Sequence, residues 1–228
     1  MNEHISSAYD RDLDAIQTLV FKMGGLVEDA IVSAAKSLET RDTDLADRVR
    51  AADKVIDALE LQINEEAARV IALRAPVSKD LRAILTVLRI AASLERVGDY
   101  AKNMAKRTGT LVDMPQIAGS DAALRRMARE VQAMLKDMLD AYLRRDAVLA
   151  EDVRQRDHEV DQMYNALFRE FLTFMMEDPR NITTCMHLHF MAKNVERMGD
   201  LVTNMVTGEM PEEARPKGDE TSYVTDVT

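Results

Sequence analysis

Tryptophan is absent from this chain of 228 residues, cysteine occurs once, histidine four times, proline five times and glycine eight times. A single cysteine excludes an internal disulfide and fits a reducing compartment, with Cys185 read as a small core residue rather than a reactive thiol. One Cys and few His also leave little for a soft-metal site. No stretch approaches the run of about 18 apolar residues that a membrane span needs. Residues 1–14 are polar and acidic, without the basic-then-apolar order of a signal peptide. Thirty Lys and Arg stand against 40 Asp and Glu, a net charge of −10, so there is no global basic field to hold nucleic acid. The phosphate loop G-x-x-x-x-G-K-[ST], G-x-G-x-x-G and H-E-x-x-H are missing. So is E-x-x-H, the pair that ferritin-like di-iron proteins place on bundle helices. With no nucleophile–base motif, the expectation is a soluble, acidic, cytoplasmic protein that is not an enzyme.

What the chain has is helix-forming sequence. Apolar residues make up 46%, enough for a core, and the stretches between prolines are rich in Ala, Leu, Met, Glu, Lys and Arg. Hairpin signals and β-branched runs are lacking. The expected fold is all-α, with six long helices at about 6–39, 43–73, 78–107, 121–144, 147–177 and 181–207. Gly24 and Gly25 make a weak point in the first helix. Asp42 or Thr43 can cap the second, Ser78 can cap the third, and Gly109 ends it. The segment 209–228, rich in Pro, Glu and Asp, is expected to be a disordered acidic tail.

The chain repeats itself. Shifted by 104 residues, Arg41-Asp42 falls on Arg145-Asp146, Leu45-Ala46 on Leu149-Ala150, Val49-Arg50 on Val153-Arg154, Asp53 on Asp157 and Asp57 on Asp161. Shifted by 101, Glu95-Arg96 falls on Glu196-Arg197, Gly98-Asp99 on Gly199-Asp200 and Asn103-Met104 on Asn204-Met205. A duplicated three-helix unit follows, giving two tandem three-helix bundles at 1–112 and 113–208.

The carboxylates are what the duplication keeps. In the third helix Leu81, Leu85, Leu88 and Ala92 form a stripe that continues into Glu95, Asp99 and Asn103. A second stripe, Val87, Ile90, Leu94, Val97 and Ala101, runs opposite, so burial of two faces is expected. In the sixth helix Ile182, Met186 and His189 lead to Glu196, Asp200 and Asn204. The second helix aligns Asp53, Asp57, Glu60 and Asn64, and the fifth aligns Asp157 and Asp161, followed by Tyr164 and Phe168.

Carboxylates at i and i+4 repel by about a few tenths of a kcal/mol on an exposed helix, and two such pairs on facing helices cost more. A hard cation (Mg²⁺, Mn²⁺ or iron, singly or as a cluster) removes that cost. Ion pairs with basic neighbours do so too, since Arg96 and Arg197 adjoin each Glu and Lys102 lies near Asp99. Gly98 and Gly199 permit close helix approach or mark a hinge. Asn103 and Asn204 orient the carboxylates or face solvent. His189 is a packed histidine or a metal ligand two turns from Glu196. Met127, Met134 and Met138 read as core filling, and Arg125, Arg126 and Arg129 as a solvated basic face.

The segments Leu94-Glu95-Arg96-Val97-Gly98-Asp99-Tyr100-Ala101-Lys102-Asn103 and Val195-Glu196-Arg197-Met198-Gly199-Asp200-Leu201-Val202-Thr203-Asn204 resemble the signature of the bacterial PhoU family. Ala75-Pro76-Val77-Ser78-Lys79-Asp80-Leu81-Arg82 is similar to the family's lead into its third helix. The resemblance implies a cytoplasmic, usually dimeric pair of three-helix bundles. It implies a negative regulator of phosphate uptake and phosphate-starvation signalling. The implied partners are the ATPase subunit of the phosphate ABC transporter and the sensor histidine kinase; contact with the membrane is indirect and nucleic acid is not a partner. It further implies multinuclear iron or another metal at Asp53, Asp57, Glu95, Asp99, Asp157, Asp161, Glu196 and Asp200, with Arg96, Asn103, Arg197 and Asn204 in support. Tyr164 and Phe168 replace Glu60 and Asn64 in the second half, which argues against two clusters of equal nuclearity. The competing readings are an accessory protein of a low-affinity phosphate carrier and a metal-independent helical adaptor.

Overall fold

The computed structural model describes residues 2–207, with side chains placed over 8–205; the expected tail at 209–228 lies outside the described residues. Six helices and one short turn of 3-10 helix account for nearly all of them. They are α1 (Asn2–Thr40), α2 (Thr43–Arg74), α3 (Lys79–Leu111), α4 (Ser120–Arg144), α5 (Ala147–Glu177), the turn Pro179–Asn181 and α6 (Ile182–Thr207).

The duplicated corners have the same local physics. Arg41 and Arg145 both take a left-handed backbone, with φ of 51° and 52°, and reverse the chain in two residues. Asp42 and Asp146 then cap the next helix with the same backbone, φ −90° and ψ 97°. The Asp42 carboxylate accepts from Leu45 N, and the Asp146 carboxylate accepts from Val148 N and Leu149 N.

Three local expectations are corrected. Ser78 precedes α3 but makes no side-chain cap; its φ of 49° points the hydroxyl elsewhere. Helix α3 runs through Gly109 to Leu111 because Arg41 holds its end. Arg41 Nη1 donates to the carbonyl oxygens of Leu111, Val112 and Met114 at 2.7, 2.8 and 3.0 Å, satisfying groups that a helix end leaves open. Helix α1 continues through Gly24 and Gly25. Gly24 is there for contact: a Cβ on it would collide with Leu139 Cδ1 of α4.

Helices α1, α2 and α3 pack on one another, as do α4, α5 and α6. The two sets meet through α1 on α4 and α3 on α6, and α2 and α5 make no contact with each other. The outer helices α2 and α5 therefore each keep one face toward solvent. Buried side chains from all six helices form one continuous cluster. It includes Leu94, Met127, Met134, Met138 and the free Cys185, as the sequence patterns require. Full burial of one such side chain stabilises by about 1.5–3 kcal/mol.

The second α3 stripe, Val87, Ile90, Leu94, Val97 and Ala101, is fully buried. The first is not. Leu85 is 46% exposed and Ala92 is open, while Leu81 and Leu88 are half-buried. The expected burial of two faces is thus corrected to one, because among the described residues no third helix covers the outer seam between α2 and α3.

Candidate functional site

The carboxylates line two outer seams, one between α2 and α3 and one between α5 and α6. In the first, Asp53 is buried at 5% exposure, with Asp57 and Glu60 following it along α2. Glu95 and Asp99 face them from α3. Lys102, one turn beyond Asp99, bridges the helices: its Nζ lies 2.5 Å from Asp53 Oδ2 and 2.6 Å from Asp99 Oδ1. Those two hydrogen bonds push the ammonium well above the ordinary lysine range. Burial raises the Glu95 carboxyl, and Asp99, Glu60, Asp57 and Asp53 raise it further. Asp57 rises for the same reasons, burial first and then Asp53, with Lys102 pulling the other way.

The second seam carries Asp157 and Asp161 on α5 and Glu196 and Asp200 on α6. Burial, then Asp200 and Asp161, push the Asp157 carboxyl up to about 6, with a hydrogen bond from Thr203 opposing. Asp200 is raised by burial, then by Glu196 and Asp161. The shift that matches Asn103 with Asn204 places Thr203 where the first half has Lys102. The internal cation is therefore missing from the middle of this cluster. Lys193 sits at its edge, with Nζ 2.6 Å from Glu196 Oε1 and 5.1 Å from the Tyr164 ring centroid, and its charge and that of Arg197 partly offset the upward shift of Asp200.

Glycine sets both seams. A Cβ at Gly98 would lie 3.2 Å from Ile56 Cδ1, and one at Gly199 would lie 2.8 Å from Asp157 Oδ1. A side chain at 98 would require Ile56 to give way by a few tenths of an ångström, and one at 199 would displace the Asp157 carboxylate, so glycine keeps α3 and α6 close to the acidic helices.

The other candidate residues lie elsewhere or play other parts. Arg96 and Asn204 line a cavity of about 280 Å³ whose walls come from α3 and α6. Arg197 sits over the Tyr100 ring at 6.0 Å. Asn103 is exposed. His189 packs among Phe168, Phe190 and Tyr164, at 5.0, 5.8 and 5.9 Å between ring centroids. Its pKa is lowered by burial and then by Lys193. Arg125 pairs with Glu39 at 2.7 Å, joining α4 to α1. Lys193 is the residue that reading the sequence missed; its place three residues before Glu196 was the available signal.

The donor set fits a hard cation. Asp53 Oδ1 and Glu196 Oε2 are buried without a hydrogen-bond partner, which is costly for a carboxylate and is removed by a cation. Among the described residues no three His, Cys, Asp or Glu side chains already converge on a metal position. A cation in the first seam would have to compete with Lys102, whose Nζ already bridges Asp53 and Asp99. No helix among the described residues is long and apolar enough to cross a membrane.

Comparison with known proteins accounts for the duplicated pattern. The PhoU domain family matches at residues 20–108 and again at 124–207, once in each half. A Rhizobium meliloti (strain 1021) protein described as a phosphate-specific transport system accessory protein PhoU homolog is 44% identical over 232 residues, covering 99% of this chain and 98% of the relative. A Caulobacter vibrioides relative of the same description is 43% identical over 226 residues, covering 96% and 98%. The crystal structure of PhoU from Pseudomonas aeruginosa superposes with a TM-score of 0.84 at 35% identity, covering 88% of this chain and 96% of that one. That of the phosphate transport system regulatory protein PhoU from Streptococcus pneumoniae gives a TM-score of 0.81 at 27% identity, covering 88% and 94%. Two in-register family matches and near-full-length relatives lead to one conclusion: this chain belongs to the PhoU family.

Proposed function

We propose that this protein is a cytoplasmic accessory protein of phosphate transport, not an enzyme. In this reading it restrains phosphate uptake and phosphate-starvation signalling by binding the ATPase subunit of a phosphate ABC transporter and a sensor histidine kinase, as a homodimer. The observation that carries the reading is the near-full-length match to relatives described as phosphate-specific transport system accessory proteins. The helices support an accessory role: they display acidic and apolar seams to the outside.

In the same reading iron, manganese or magnesium occupies the carboxylate clusters. Asp53, Asp57, Glu95 and Asp99 hold it in one half, and Asp157, Asp161, Glu196 and Asp200 in the other. A bound cation supplies positive charge that offsets carboxylate repulsion. The orphaned oxygens of Asp53 and Glu196 support this. A second reading, a metal-independent adaptor, is favoured by Lys102, which already neutralises Asp53 and Asp99.

Elemental analysis of protein purified without a metal-binding tag separates the two readings. Metal near stoichiometry, lost in the Glu95→Ala, Asp99→Ala double variant together with repression of phosphate-starvation genes, is the expected result. Metal-free wild-type protein that still binds the transporter ATPase or the kinase leaves the adaptor. Normal repression in a strain lacking the protein altogether overturns the regulatory assignment.

A further inference from the structure

We propose that the outer seam between α5 and α6 is a docking groove for an amphipathic helix of a partner protein, apolar along one face and cationic at one end.

On α5, Asp157, Asp161, Tyr164, Phe168, Leu172 and Met175 fall on one stripe at helical spacing. On α6, Ile182, Met186, His189, Lys193, Glu196 and Asp200 do the same. The helices run antiparallel, which the ring contacts of Phe168 and Tyr164 with His189 fix in register. Carboxylates therefore meet at one end of the seam and apolar side chains at the other. The stripe from Asp157 to Met175 spans about 27 Å at 1.5 Å per residue, the length of a five-turn helix.

The apolar end is open. Phe168, Leu172, Met176, Ile182 and Met186 are 37%, 41%, 78%, 46% and 39% exposed. The duplication makes this informative, because the same fold solves the same position differently in the first half. The shifts that align the two halves place Asn64, Ala68 and Ala72 opposite Phe168, Leu172 and Met176. On α2 the stripe is thus served by Asn64, Ala68 and Ile71, so the large exposed Phe168 and Leu172 are not needed to build the helix pair, whereas Ile182 and Met186 keep the apolar character of their counterparts Leu81 and Leu85. Contiguous exposed apolar side chains of this kind mark interaction sites, and methionines adapt to varied partners.

Charge complementarity identifies the occupant. Asp157, Asp161 and Asp200 lack the internal lysine that the first half supplies, and Lys193 is already engaged by Glu196. A basic helix end meets that demand while its apolar face covers Phe168, Leu172 and Met186, which is recognition of an amphipathic helix in a groove. A second copy of this chain carries a net charge of −10, so overall charge repulsion opposes its approach to an acidic seam. The inference goes beyond the regulatory reading and concerns the metal-free protein, because a cation held by Asp157, Asp161, Glu196 and Asp200 would meet the same charge demand as the basic helix end.

The test uses the full chain in chelator-containing buffer and a fluorescein-labelled 18-residue helix with a leucine face and lysines in its last two turns. A second peptide carries glutamate in place of those lysines. Anisotropy titrations compare wild type with Leu172→Glu, Met186→Glu and, on α4, Leu143→Glu. Wild type and Leu143→Glu should bind the basic peptide alike. Each seam variant, and the glutamate peptide, should bind at least about tenfold more weakly. A benzophenone on the apolar face of the peptide, crosslinked to wild-type protein, should attach within 164–189, a readout that needs no variant to fold. Equal binding by the seam variants, equal binding of the glutamate peptide, or crosslinks outside the seam overturn the proposal. So does sedimentation showing that Leu172→Glu dissociates a dimer without changing peptide affinity, which makes the seam an interface between copies.

Discussion

The Lys102 ammonium lies 2.5 Å from Asp53 Oδ2, joining α3 to the one carboxylate of the first cluster that is almost wholly buried. The same nitrogen reaches Asp99 at 2.6 Å, so one positive charge stands among five carboxylates. Removing one partner of a buried pair leaves an uncompensated charge. Lys102 is 36% exposed at its side chain, which tempers the effect. Lys102→Met should lower the unfolding free energy of metal-free protein by about 1–3 kcal/mol. Mn²⁺ should then restore it, binding more tightly than to wild type because the competing ammonium is gone. Urea titrations with and without Mn²⁺ read both effects, and unchanged stability of the metal-free variant removes Lys102 from this role.

The second cluster, without that lysine, should respond to pH in the opposite sense from ordinary ion-paired carboxylates. The Asp157 carboxyl stands at about 6 in the folded protein, above its usual value of 3.8, chiefly through burial. The folded state therefore binds more protons than the unfolded state between those two values, and stability rises as pH falls from about 7 to about 4. Asp200 is shifted in the same direction and adds to the slope. Asp157→Asn should stabilise the protein at pH 7.5 by about 1–2 kcal/mol, with allowance for solvent screening, and the difference should vanish near pH 4. Denaturant midpoints measured across that range decide it, and a wild-type curve that falls on mild acidification contradicts the assignment.

The duplicated carboxylates are legible in the amino-acid sequence because their register is helical: residues at i and i+4 share a face whatever packs around them. The repeated corners are legible for a similar reason, since Asp42 and Asp146 cap by local hydrogen bonds alone. What the pattern does not disclose depends on a third element. Leu85 and Met186 sit at apolar positions that look like core, yet among the described residues no helix covers either seam. Arg41 reaching three carbonyl oxygens about 70 residues away is likewise a tertiary fact. Lys102 and Thr203, one residue before the matched asparagines, show where the copies have diverged, but only the geometry gives that difference its electrostatic meaning.

The adjacent glycines of α1 separate packing from helix propensity in one experiment. Gly25 is exposed, and a Cβ there would meet nothing within 4 Å. Gly25→Ala should stabilise the protein by about 0.5–1 kcal/mol, the ordinary gain of alanine over glycine inside a helix. Gly24 is buried against Leu139, itself 4% exposed in the core where α1 meets α4. The same propensity gain is available to Gly24→Ala, but the added methyl drives Leu139 off its position, and overpacking of that kind costs about 1–3 kcal/mol. The two variants should therefore differ in unfolding free energy by at least about 1 kcal/mol, with Gly24→Ala the less stable. Thermal melts of the pair measure it directly. Equal melting temperatures show that α4 can move away from α1 at no cost, so that the contact between the two halves is looser than the Gly24–Leu139 packing requires.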